Sequence, residues 1–198
     1  MRQFVVIGHD APTTPDFSLD DLPGGAGRLD VLCRCVNSAF FLSHALREDV
    51  RVHLVLNDEY TVIFEGSDLR RLNPDERSTA ALIRGALEDR EEAIGPRPYE
   101  VSPGVSIARR DVAATLETAA DEGPLVQLHE DGDPAGDVEP LTDPVFVLSD
   151  HHDFAAPEAG LLADLAERRL RLGPEPLHAD HAIVVAHHWL DTGGWARF

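Results

Sequence analysis

The 198-residue sequence predicts an α/β fold, a mostly parallel sheet flanked by helices, in one domain over residues 1–198. Two observations carry this. Strand-length apolar runs alternate with helix-like stretches along the chain, the pattern of a sheet covered by helices. The runs 125–128 (LVQL) and 145–148 (VFVL) lack polar alternation, as parallel strands buried on both faces do.

The elements follow in order. Residues 4–8 (FVVIG) read as a first strand and 10–27 as a loop rich in Pro, Asp and Gly. Residues 29–47 read as a helix, because Leu29, Leu32, Val36, Phe40 and Leu46 recur at near-helical spacing. Strands at 52–56 and 60–64 flank the turn Asn57-Asp58. The next helix has a clear start: Asn73 as cap, Pro74 in the first turn and Glu76 completing a capping box, with an end near Glu92. A short strand at 106–109 and a short helix at 111–120 precede the two buried strands. The acidic stretch 131–143 reads as a solvated loop, 157–168 as a helix, 170–172 as a short strand and 179–190 as the last helix.

Charge narrows the setting. The chain has 17 basic residues, all arginine, against 36 acidic ones, for a formal charge of −19. The acids are spread along a chain that is 43% hydrophobic, which argues against a disordered acidic tail. A salt-rich cytoplasm explains them better, since the Debye length falls to about 3 Å at 1 M salt and self-repulsion is screened. An RNA partner is compatible with that charge when recognition rests on shape, stacking and arginine hydrogen bonds. Arginines cluster at 70, 71 and 77, at 109 and 110, and at 168, 169 and 171. No apolar run approaches membrane-spanning length, and residues 1–3 lead straight into a strand without a signal peptide. Cys33 and Cys35, two apart on a helix, point to different sides and are expected to stay unpaired.

Three late segments carry the ligand chemistry: 125–130 (LVQLHE), 145–151 (VFVLSDH) and 172–182 (LGPEPLHADHA). Two strands end at polar residues and a Gly-Pro turn leads into a helix, the place where open α/β sheets bind ligands. There is no GxGxxG and no GxxxxGK[ST], so no bare backbone cradle for phosphate. A cofactor without phosphate suits such a site, and S-adenosylmethionine is one.

Residues upstream extend the pattern: Gly27-Arg28-Leu29-Asp30, the run 37–44 (NSAFFLSH), 64–67 (FEGS) and 72–78 (LNPDERS). In this order and spacing, over about residues 1–190, the chain resembles the SPOUT methyltransferases. Within them it is similar to the archaeal branch that methylates N1 of pseudouridine-54 in the tRNA T-loop. The resemblance implies a C-terminal trefoil knot, with the cofactor site in about 124–198, a homodimer, and S-adenosylmethionine and tRNA as ligands. It places Leu128, Ser149, Leu172, Gly173, Pro174, Glu175, Pro176, Leu177 and Ala182 against the cofactor. Ser149 and Ala182 depart from the glycine and cysteine usual in the family. It implies substrate contact for Arg28 and an anchoring role for Asp30 that leaves open its use as the base, while the clustered Arg70, Arg71 and Arg77 are expected to bind substrate as well.

Ten histidines raise the question of a metal. His151 and His152 are adjacent and His178 and His181 are three apart, but no HExxH occurs and no metal is expected. His44 and His53 are expected in the core or at a dimer face. Two other readings keep the fold: methylation of another RNA position, and a non-catalytic RNA-binding or assembly factor. Ser149 and Ala182 are the only residues favouring the last.

Overall fold

A computed structural model describes residues 1–197. Eight strands form one sheet in the order β4-β5-β3-β2-β1-β7-β6-β8. They are β1 (Arg2–Gly8), β2 (Val50–Leu56), β3 (Tyr60–Glu65), β4 (Tyr99–Ser102), β5 (Val105–Ala108), β6 (Leu125–Pro134), β7 (Val145–Ser149) and β8 (Arg168–Arg171). The run from β2 through β1, β7 and β6 to β8 is parallel; β3, β5 and β4 complete one side antiparallel.

Helices cover both faces, which explains the unbroken apolar runs. Phe4 and Val6 face α1 (Leu29–Phe40), α2 (Glu76–Glu88) and α5 (Ala179–Asp191). Val5 and Ile7 face α3 (Val112–Ala120) and α4 (Ala156–Leu165). No helix among the described residues is long and apolar enough to cross a membrane.

Several boundaries differ from the sequence reading. Helix α1 stops at Phe40, and Phe41 turns extended to bridge Leu46 in a small reversal that returns the chain to β2. Leu46 thus continued the helical spacing from outside the helix. Asp75, not Asn73, caps α2, its carboxylate accepting from the Ser78 amide at 2.7 Å, while Asn73 donates to the Ser78 hydroxyl. That helix ends at Glu88 and a 3₁₀ turn covers Arg90–Glu92. The 131–143 stretch is less of a loop than expected. Its first residues extend β6 along β8 after a register shift, and Ala135 is buried. The turn Asn57-Asp58 is confirmed, with both residues at positive φ, as a two-residue hairpin requires. Cys33 and Cys35 are free and buried, and burial pushes both thiols up.

Candidate active site

The carboxyl ends of β6, β7 and β8 and the turn before α5 enclose an open cavity of about 220 Å³. Leu128, Leu148, Leu170, Leu172 and Ala182 give it apolar walls. Ser149, Gly173, Glu175, Pro176 and Leu177 also line it, whereas Pro174 is exposed outside the lining. The Ser149 hydroxyl donates to the His152 carbonyl at 2.5 Å, so the added oxygen is used locally and the cavity stays open. Alanine at 182 leaves the wall apolar.

Sequence spacing gives no warning of the clamp beneath this cavity. His9, just after β1, has Nδ1 3.0 Å from Asp150 and Nε2 3.0 Å from Glu158. The His9 amide also donates to Asp150, and Glu158 accepts from the Ala155 amide. His9 therefore ties the end of β7 to the start of α4 across the loop that carries Asp150, Asp153 and Phe154 into the cavity. Burial works against its charge, but the hydrogen bonds to Glu158 and Asp150 prevail and raise its pKa. The sign follows: the folded value lies above the ordinary 6.5, so the clamp's stabilisation is complete below 6.5 and is lost as pH climbs through the folded value. His9→Ala is expected to cost about 1–3 kcal/mol, because Asp150 and Glu158 lose a charge-assisted partner. A denaturation series across pH checks this: the wild-type advantage over His9→Ala should shrink with rising pH, and a constant gap would contradict the clamp.

A second network borders the first. Arg28 precedes α1 at φ 60°, and its guanidinium grips both oxygens of Asp30, at 3.0 and 3.2 Å. Arg34 donates to the same carboxylate at 2.8 Å and reaches Glu76 and Asp180. Asp30 is buried; burial raises its pKa, and the hydrogen bonds from Arg28 and Arg34 outweigh this and lower it. Asp150 acts on Arg28 electrostatically and Asp180 sits between the cavity residues Ala179 and Ala182, so the two networks adjoin. The other predicted arginines lie on exposed surface: Arg70 donates to the Leu69 carbonyl, Arg71 stands at φ 64°, and Arg77 pairs with Asp20.

The remaining histidines divide. His53 is buried and bonds Gln3 at 2.8 Å; His187 is buried and bonds the Ala39 carbonyl at 3.0 Å. Burial, then nearby arginines, push both to about 3, so both rings are neutral. His44 is exposed. Asp10, His151 and His152 bring ligand atoms within 4.8 Å of one another on the surface, with His152 bonded to Asp10 at 2.9 Å.

An open α/β sheet whose carboxyl strand ends meet at a cavity with apolar walls and carboxylates belongs to the class of α/β proteins that carry a ligand site at that edge. The chain matches, over residues 1–195, the family described as "Putative SAM-dependent RNA methyltransferase", and it belongs to that family. It is 73% identical, over the full length of both chains, to a protein of Haloarcula marismortui named tRNA (pseudouridine(54)-N(1))-methyltransferase. It is 44% identical to the protein of that name from Methanococcoides burtonii, covering 96% of each chain. The crystal structure of Archaeoglobus fulgidus Nep1 bound to S-adenosylhomocysteine shares the fold, with a TM-score of 0.60 over 92% of this chain and 93% of that one, at 12% identity. The expected mostly parallel α/β fold and family are thus found.

Proposed function

We propose that the chain transfers a methyl group from S-adenosylmethionine to N1 of pseudouridine-54 in the T-loop of tRNA, as a homodimer in a salt-rich cytoplasm. The observation that carries the reading is the end-to-end identity to relatives of that name, joined to a cavity suited to the cofactor. Leu128, Ser149, Leu172, Gly173, Glu175, Pro176, Leu177 and Ala182 hold the cofactor, and the implied trefoil knot belongs to the same reading. Pro174 shapes the turn.

The cofactor supplies an electrophilic methyl carbon when bound. The chain has to align the base with it and let the N1 proton leave, and positioning by itself supplies several kcal/mol. Arg28 suits the grip on RNA: one guanidinium nitrogen is left over from its pair with Asp30, and its side chain is 41% exposed. Asp30, with both oxygens engaged and its pKa lowered, is a weak base; it serves as the anchor of Arg28 and Arg34. Water then takes the proton. Arg70 and Arg71, exposed and free of carboxylate partners, extend the RNA surface, and Arg77 joins it where Asp20 yields to phosphate.

Arg28→Ala tests this division. Loss of a charge-assisted contact of roughly 1.5–3 kcal/mol should lower tRNA affinity or kcat/KM roughly ten- to hundredfold, with cofactor affinity nearly intact. Normal methylation with a lowered melting temperature would restrict Arg28 to bracing the loop. The dimer rests on apolar side chains left open in one chain: Val184 on α5 is 50% exposed, Leu42 after α1 46% and Leu177 41%. Sedimentation at molar salt should give two chains of 21.6 kDa; a fully active monomer would overturn it.

A further inference from the structure

The cofactor cavity holds one guanidinium, and no described residue forms an ion pair with it. Arg171 ends β8 and lines the cavity, exposed, with no side-chain hydrogen bond or carboxylate partner among the described residues. What sets it apart is its place: among the 17 arginines of the chain it is the one that lines the cavity. Arg2, Arg28, Arg34, Arg47 and Arg51 are all ion-paired. The lining also holds two histidines, His129 beside Asp131 and His152 bonded to Asp10; its other ionisable side chains are carboxylates. Asp150 is taken by His9, while Glu130, Asp153 and Glu175 are exposed and unpaired. The free charge in the wall is therefore several carboxylates and a single guanidinium.

That distribution is the complement of a particular ligand. The methionine part of S-adenosylmethionine carries a sulfonium, an ammonium and a carboxylate. The two cations have carboxylates to face. The one anion has Arg171, the single guanidinium of the lining, whose planar fork matches a carboxylate with two parallel hydrogen bonds. We propose that Arg171 binds the α-carboxylate of the cofactor and is the residue that selects for an intact amino-acid moiety. This rests on the cofactor reading above and adds a residue to it. Arg171 is a positioning residue: fixing the carboxylate sets the direction of the sulfonium methyl toward the RNA side of the cavity. It also separates Arg171 from its neighbours, since Arg168 and Arg169 do not line the cavity.

Two ligands differing at that group provide the test. S-adenosylhomocysteine keeps the amino acid; 5′-methylthioadenosine lacks both carboxylate and ammonium. Calorimetry at molar salt on wild type, Arg171→Ala and Arg171→Lys separates the contributions. For Arg171→Ala, S-adenosylhomocysteine affinity should fall roughly ten- to hundredfold, the loss of a charge-assisted contact, with methylthioadenosine affinity nearly unchanged. Arg171→Lys should recover part of the loss, keeping charge without the fork. Equal loss for both ligands, or no loss for either, overturns the assignment while leaving the cofactor reading standing. Failure of the wild type to bind either ligand overturns the cofactor reading, and the assignment with it.

Discussion

Gly27→Ala is expected to lower stability by about 3 kcal/mol or more. Gly27 stands at φ +53°, and a Cβ there would lie 1.7 Å from the Asp10 carbonyl oxygen. The left-handed conformation alone costs a non-glycine residue about 1–2 kcal/mol. The clash adds to this, because the obstacle is backbone and cannot rotate away. At about 2–4 °C per kcal/mol for a chain of this size, the melting temperature should fall by about 6–12 °C. Both strands of the loop would shift: Asp10 beside His152, and Arg28 at the start of α1. Cofactor and RNA binding should thus decline together, unlike Arg28→Ala. Gly85→Ala is the control. It lies in α2 with nothing within 4 Å of a new Cβ, so it should gain about 0.5–1 kcal/mol. A Gly27→Ala protein that melts with the wild type would refute the close approach.

Trp189→Ala is expected to cost about 3–5 kcal/mol, the range for deleting a large buried ring. Trp189 is 0% exposed on α5 and meets Phe146 of β7 edge to face, with ring centroids 6.4 Å apart. Its indole N–H donates to the Ala135 carbonyl at 3.0 Å. Truncation opens a cavity between helix and sheet and leaves the Ala135 carbonyl with only the Val138 amide at 3.3 Å. Trp189→Phe keeps much of the volume and loses the donor, so it should fall between. Urea denaturation of the two variants checks the ordering. Equal losses would mean that the ring volume contributes little.

The same contacts show what the sequence could convey. β6 and β7 were legible because both faces are covered, so Leu125–Leu128 and Val145–Leu148 are apolar throughout. β4 was not: residues 99–102 form a short exposed edge strand, and an edge strand has little apolar pattern to read. The end of α1 was missed because Leu46 kept the helical spacing while bridging Phe41. The cap of α2 differs because Asn73 and Asp75, two residues apart around Pro74, both carry a side-chain oxygen that can cap a helix. At the site, the wall residues came from the family likeness, and the structure gathers them at one cavity except Pro174. The His9 clamp could not be read, since His9 lies 141 residues from Asp150 and 149 from Glu158. Arg171 was visible only as part of an arginine cluster. Strand geometry and the shape of the turn after β8 decide that it faces the cavity.

The central claim is methylation of N1 of pseudouridine-54. The direct measurement uses purified protein at molar salt, S-adenosylmethionine with a labelled methyl group, and two tRNAs differing only in uridine or pseudouridine at that position. After nuclease digestion, mass analysis of the nucleosides should find labelled N1-methylpseudouridine from the second tRNA and no labelled nucleoside from the first. Label on both tRNAs, or on a nucleoside other than N1-methylpseudouridine, would contradict the account.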